Sequence, residues 1–146
     1  MTFPVRAFVA ALLLGAGAAH ALDFRSVGEA AVLYDAPSQK AQRLFVIAPG
    51  TPVEVVVRLD VWVKVRDMQG DMAWIERRQL ADRRMLQVRA GGAQVRGEPN
   101  DAAAPVFEAE ADVLLEPVEP AAAGWVKVRH RDGLQGYVRA AQVWGL

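Results

Sequence analysis

One pentapeptide occurs twice in the chain. Trp62-Val63-Lys64-Val65-Arg66 returns unchanged as Trp125-Val126-Lys127-Val128-Arg129, 63 residues on. The same spacing continues downstream, pairing Gly70 with Gly133, Trp74 with Tyr137, Ile75 with Val138 and Gln79 with Gln142. Over positions 62–80 and 125–143, seven of nineteen residues are identical. Upstream the spacing drops to 62, pairing Phe24 with Leu86, Ala31 with Ala93, Leu33 with Val95 and Pro37 with Pro99. A collinear series of this kind marks a duplicated structural unit. Beyond residue 21, two copies of one unit are therefore expected, over 22–84 and 85–146, with connections of unequal length in the middle of each.

Each copy reads as short strands. Val53–Arg58 and Val61–Arg66 are rich in β-branched residues and flank Leu59-Asp60, a candidate tight turn. Alternation puts Val63 and Val65 on one face, with Trp62, Lys64 and Arg66 on the other. Asp67–Asp71, with Gly70, is expected to turn the chain into a further strand over Met72–Glu76. The triplets Ala102–Ala104 and Ala121–Ala123 are too short and too closely bounded by proline to form helices, so they read as loops. Five or so strands in about 60 residues bury a face and lose their edges most economically by closing on themselves. The expected class is all-β, as two tandem small barrels.

Residues 1–21 are set apart by composition. They contain no acid, begin with Arg6 before an apolar run from Ala7 to Ala19, and end in Ala19-His20-Ala21, a small-x-small cleavage pattern. The run is shorter than the roughly twenty residues that span a bilayer. Export and cleavage after Ala21 is the expectation, against a buried N-terminal helix or an uncleaved anchor, and no stable membrane span is expected afterwards. The rest carries 16 bases against 17 acids, a balance that argues against bulk nucleic-acid binding. The chain has no cysteine, which excludes disulfides, thiolate nucleophiles and a cysteine-linked lipid anchor. Fourteen arginines against three lysines suggest a GC-rich bacterial genome and, with the short leader, a Gram-negative periplasm.

The motifs, in order and doubled, resemble the bacterial SH3 (SH3b) family. The second copy offers Val95-Arg96-Gly97-Glu98-Pro99, then Trp125-Val126-Lys127-Val128, then Gly133-Leu134-Gln135-Gly136-Tyr137-Val138. The first offers Leu33–Pro37, Gly50-Thr51-Pro52-Val53, Trp62–Val65 and Gly70–Ile75, departing at Ala73, where the family commonly has glycine. The resemblance implies SH3-like barrels and a cell-envelope role, binding peptidoglycan or peptide without catalysis. Val32-Leu33-Tyr34-Asp35 also resembles the A-L-Y-D-Y segment of eukaryotic SH3 domains, but Ala36 replaces the second tyrosine and no P-x-x-Y follows Trp74-Ile75. Proline-peptide recognition is therefore not carried over.

The chemistry within reach is limited. Once His20 leaves with the leader, His130 is the single histidine, and Ser26 and Ser38 lie in the other copy. No catalytic residues, metal ligands or cofactors are expected, and His130, beside Arg131 and Asp132, is expected as an exposed turn residue. Glu98–Glu119 holds seven acids and no base, with Glu108, Glu110 and Asp112 at strand-like spacing; it reads as a solvated acidic face. Arg77, Arg78, Arg83 and Arg84 surround the junction and either pair with that acidic run, bind an anionic partner, or stay solvated. The candidate ligand residues are Trp74, Tyr137, Tyr34, Trp62 and Trp125, rings of the kind that sugar and peptide sites use. Trp62 and Trp125 also fit a role as covers of the barrel cores, whereas Trp74 and Tyr137 alternate with inward-facing Ile75 and Val138. The expected partners are peptidoglycan or an envelope protein or peptide, the rival being a protein-interaction module without wall affinity. An enzyme working through acidic residues alone is the third and weakest reading.

Overall fold

A computed structural model describes residues 21–146. The leader expected over 1–21 lies, apart from Ala21, outside the described residues. Extended segments alternate with glycine, proline and aspartate turns along the whole described chain, and the strands follow that punctuation. The first copy folds as β1 (Phe24–Val27), β2 (Ala31–Tyr34), β3 (Arg43–Ile47), β4 (Pro52–Arg58), β5 (Trp62–Arg66), β6 (Met72–Glu76) and β7 (Leu80–Ala81). The second repeats this as β8 (Leu86–Val88), β9 (Ala93–Arg96), β10 (Pro105–Ala109), β11 (Leu114–Pro117), β12 (Trp125–Arg129), β13 (Gln135–Arg139) and β14 (Val143–Trp144). A single 3-10 turn, Arg77–Gln79 or Ala140–Gln142, precedes the last strand of each copy.

The strands form two separate antiparallel sheets, ordered β3-β2-β6-β5-β4-β1-β7 and β10-β9-β13-β12-β11-β8-β14. Every named pairing is antiparallel, and position for position the second order repeats the first. β5 and β12 show why the sheets curl. Along β5, Val63 and Val65 are buried while Trp62, Lys64 and Arg66 stay partly exposed, so one face must find an apolar partner. It finds the rest of its own sheet: Val27, Ala31, Leu33, Ile47, Val53, Val63, Val65, Ala73 and Ile75 make one core drawn from β1 through β6. Leu86, Val88, Val95, Leu115, Val126, Val128, Val138 and Val143 form the corresponding core of the second copy. The two cores share no residue, so each copy is a folding unit with its own apolar interior.

The change of spacing from 62 to 63 residues has a structural address. β4 and β5 are joined by three residues, whereas Val118–Gly124 separate β11 from β12. The turn after β5 is the same in both copies. Gly70 has φ 94° and Gly133 φ 93°, values that glycine reaches without strain. An aspartate closes each turn, Asp71 N–H donating to Asp67 Oδ1 and Leu134 N–H to Asp132 Oδ1, both at 2.9 Å.

Four residues, Asp82–Met85, link the barrels, and they are held on both sides. Ser26 Oγ donates to the Arg83 carbonyl at 2.7 Å, and Arg84 Nη2 donates to the Gly145 carbonyl at 2.7 Å. Phe24 of β1 meets Trp144 of β14 edge to face, with centroids 4.9 Å apart, and the Arg84 guanidinium lies 5.8 Å over the Phe24 ring. Arg83 Nη2 reaches Glu116 at 2.9 Å, and Arg129 Nη2 reaches the same oxygen at 3.1 Å. These guanidiniums, Arg83 first, hold the Glu116 carboxyl below the usual carboxylate range. Of the four junction arginines, Arg83 and Arg84 thus cross between barrels. Arg77 donates to the Leu59 carbonyl at 2.5 Å and Arg78 pairs with Glu76, both within the first barrel.

The double reversal Arg83→Glu, Arg84→Glu is expected to loosen this junction. It sets an acid against Glu116 and removes the donor to Gly145, leaving Phe24 on Trp144 and the close approaches of Pro52 to Gly145 and of Gly50 to Leu114. Small-angle scattering should show a larger radius of gyration than wild type. An unchanged profile would mean that the arginines do not hold the barrels together.

Two expectations need correction. His130 is not a freely solvated turn residue: its side chain is 24% exposed, its Nδ1 lies 3.0 Å from Asp132, and its ring stands 5.9 Å from that of Phe107. The acidic run is not a single solvated face either. β10 ends at Ala109, Asp112 turns with φ 69°, and Asp101, Glu116 and Glu119 pair with Arg139, Arg83 and Lys127 respectively.

Candidate functional site

The aromatic residues meet where β2, β6 and β5 run side by side. Tyr34 stands opposite Trp74, and Trp74 stands opposite Lys64, so the three form one rung across the sheet. Lys64 Nζ lies 6.0 Å from the centroid of Trp74, within reach of a cation–π attraction. Two residues along β5, Trp62 points to the same face and meets Tyr34 edge to face at 5.4 Å. Tyr34 is buried at 8% exposure, whereas Trp62 and Trp74 are half-buried. Tyr34 therefore acts as the support, and the two indoles are the part a ligand can touch.

Glu76 borders this face, opposite Trp62. It accepts hydrogen bonds from Arg78 Nε at 2.6 Å and from Gln39 Nε2 at 2.9 Å. The Arg78 bond first, then that of Gln39, keeps its carboxyl below the usual carboxylate range. The Gln39 bond also ties the 35–42 loop to the end of β6, which fixes the rim of the aromatic face.

The second barrel starts from the same pentapeptide and finishes differently. Lys127 Nζ sits 5.8 Å over Tyr137, repeating the rung in part, but Arg96 takes the place of Tyr34 opposite Tyr137. At the site aligned with Glu76 stands Arg139, and at the site aligned with Gln39 stands Asp101. The polarity of the loop-to-strand contact is thereby reversed. Arg139 donates to both Asp101 oxygens, with Nε to Oδ1 at 2.9 Å, and its guanidinium lies 4.8 Å over the Trp125 ring. Trp125 is buried at 9% exposure beneath it. On this face the first barrel presents two indoles; the second presents Tyr137 and keeps Trp125 covered.

Sequence comparison of the copies singled out the rings but not their neighbours. Lys64 and Lys127 make the same contact in both copies, whereas Glu76 with Gln39 and Arg139 with Asp101 differ, and Arg139 lies over Trp125. Among the described residues no group of three or more histidines, aspartates or glutamates converges as a metal site, and no helix is long and apolar enough to cross a membrane.

Both halves match the bacterial SH3 domain, over residues 27–82 and 89–145, which together make up most of the chain. The chain belongs to the bacterial SH3 domain family. This SH3b pair also resembles several solved structures at low similarity. NlpC2 from Trichomonas vaginalis is 14% identical with a TM-score of 0.38, over 85% of this chain and 48% of that one. NlpC1 from the same organism is 14% identical with a TM-score of 0.39, over 93% of this chain and 50% of that one. An NlpC/P60 family protein from Bacillus cereus is 14% identical with a TM-score of 0.38, over 84% of this chain and 56% of that one. The SH3b pair spans about half the length of these solved chains. No curated protein matches it.

Proposed function

We propose that this SH3b pair is an exported, non-catalytic binding module of the cell envelope, working in a Gram-negative periplasm. Its ligand is peptidoglycan, and the first barrel supplies the main contact. The observation that carries this reading is the pair of half-buried indoles, Trp62 and Trp74, on a face bordered by Lys64, Glu76 and Arg78. Flat apolar rings beside fixed donors and acceptors suit a ligand rich in hydroxyls and amides. The export pattern of residues 1–21 and the family's implied envelope role support the compartment.

Retention of the exported form on purified sacculi tests this. Trp74→Ala is expected to lower retention about tenfold, as loss of an aromatic anchor does. Tyr137→Ala should lower it by less than about threefold, an affinity change well under 1.4 kcal/mol. Neither variant should move the unfolding midpoint much, because both rings are partly exposed. Equal retention of wild type and Trp74→Ala would sink the proposal.

A second reading has its own support. β3 lies at the edge of its sheet, hydrogen-bonded to β2 alone, and exposes Leu44 (42%), Phe45 (40%) and Val46 (68%). An apolar edge strand suits strand addition by a protein partner. Failure of the wild-type module to bind sacculi at low and moderate salt would favour this partner-binding role.

A further inference from the structure

An open cleft of about 830 Å³ lies between the barrels, apart from both aromatic faces. Its volume lies within the roughly 300–1,000 Å³ of small-ligand sites. Pro49 of the first barrel, Met85 of the link and Leu114 of the second give it an apolar lining. Its charged wall is one-sided: Arg83, Arg129 and Arg131 stand against the single acid Glu116.

We propose that this cleft binds the carboxylate of a ligand with an apolar body, of the kind presented by the free C-terminus of a short peptide. Three observations converge on it. First, a carboxylate already sits between two of the arginines. Glu116 Oε2 takes Arg83 at 2.9 Å and Arg129 at 3.1 Å, which displays the chemistry these groups accept. Second, Arg131 has no acidic partner among the described residues, although it lines the same space. Third, the repeat provides an internal control. The β12–β13 turn, which faces the cleft, reads Arg129-His130-Arg131-Asp132-Gly133. The aligned β5–β6 turn, which does not line it, reads Arg66-Asp67-Met68-Gln69-Gly70. The extra bases occur in the one copy of the turn that meets the other barrel.

The turn holds His130 in position and leaves Arg131 exposed. Asp132 accepts the Leu134 N–H at 2.9 Å and lies 3.0 Å from His130 Nδ1, so it is occupied within the turn. The Leu134 bond first, then that of His130, lowers its pKa. A ligand carboxylate would meet Arg131 directly and share Arg129 and Arg83 with Glu116, while its apolar part covers Met85 and Leu114. Glu116 thereby both orders the two arginines and competes with the incoming group.

The test uses acetyl-Ala-Val-Ala-Ala with a free C-terminal carboxylate, its C-terminal amide, and inorganic phosphate. Binding to the wild-type module is followed by NMR shifts at the cleft residues. The carboxylate form should bind about tenfold more tightly than the amide, the effect of losing a charge-assisted hydrogen bond. Arg131→Gln should weaken binding by about fivefold or more, whereas Glu116→Gln, which keeps shape and one acceptor, should tighten it severalfold. Trp74→Ala should leave this site unchanged, so its outcome is separate from that of sacculus binding. Equal binding of amide and carboxylate, phosphate binding as tight as the peptide's, no response to either variant, or no shift at millimolar peptide would each overturn the proposal.

Discussion

Gly136→Ala should destabilise the second barrel by about 1–3 kcal/mol or more, the range for overpacking a filled site. A Cβ built at Gly136 would lie 2.6 Å from the Arg96 carbonyl oxygen and 2.7 Å from Val95 Cγ1. The first of these is backbone, so no side-chain rotation relieves it. Relief requires β9 to move away from β13, and those strands meet through Tyr137 and Arg96. The first barrel carries Ala73 at the aligned position, buried at 3% exposure, so its β2 and β6 already accommodate a methyl group. The reciprocal Ala73→Gly should therefore cost about 1–2 kcal/mol, from backbone freedom and one lost methyl. Urea unfolding of the two variants measures the asymmetry. Equal small effects would show that the close approach at Gly136 does not constrain the fold.

Leu115→Ala should have the largest effect, about 2–5 kcal/mol. Leu115 is fully buried among Leu86, Val88, Val95, Val126, Val128, Val138 and Val143 in β11. A unit of about 60 residues has only about 3–9 kcal/mol to lose. The second barrel should then unfold at far lower urea. The first, whose core shares no residue with it, should stay folded, weakened by loss of the Trp144 edge against Phe24. Two separated transitions, with the resonances of 22–84 kept through the first, are the expected outcome. Simultaneous loss of both barrels would mean that the interface, not the separate cores, sets stability.

Much of this architecture was legible because the chain reports it twice. Alternation in the pentapeptide put Val63 and Val65 on one face, which the fold buries, and the strand expected over Met72–Glu76 has those ends. The two-residue closing strands, Leu80–Ala81 and Val143–Trp144, were not legible, since neither is long enough to show a period. Each copy has seven strands where about five were expected, and the closing strand is one of the two extra.

The aromatic faces show where reading by repeat runs out. Trp62 and Trp125 begin identical pentapeptides in aligned strands, yet one is half-buried and the other buried. The difference comes from residues distant in sequence, Glu76 with Gln39 against Arg139 with Asp101. His130 followed the same logic: its local sequence is that of a turn, and Phe107 from another strand covers it. Pairing across strands decided these exposures, and local pattern carries no information about it.

The proposed binding face is the pair of indoles of the first barrel. The chain has four tryptophans, Trp62, Trp74, Trp125 and Trp144, so four indole N–H signals report on four known places. Titration of residues 22–146 with solubilised peptidoglycan fragments should shift Trp62 and Trp74 first and most. Trp125, under Arg139, and Trp144, against Phe24, should hardly move. Shifts led by Trp125, or four unmoved signals at saturating fragment, would contradict the account.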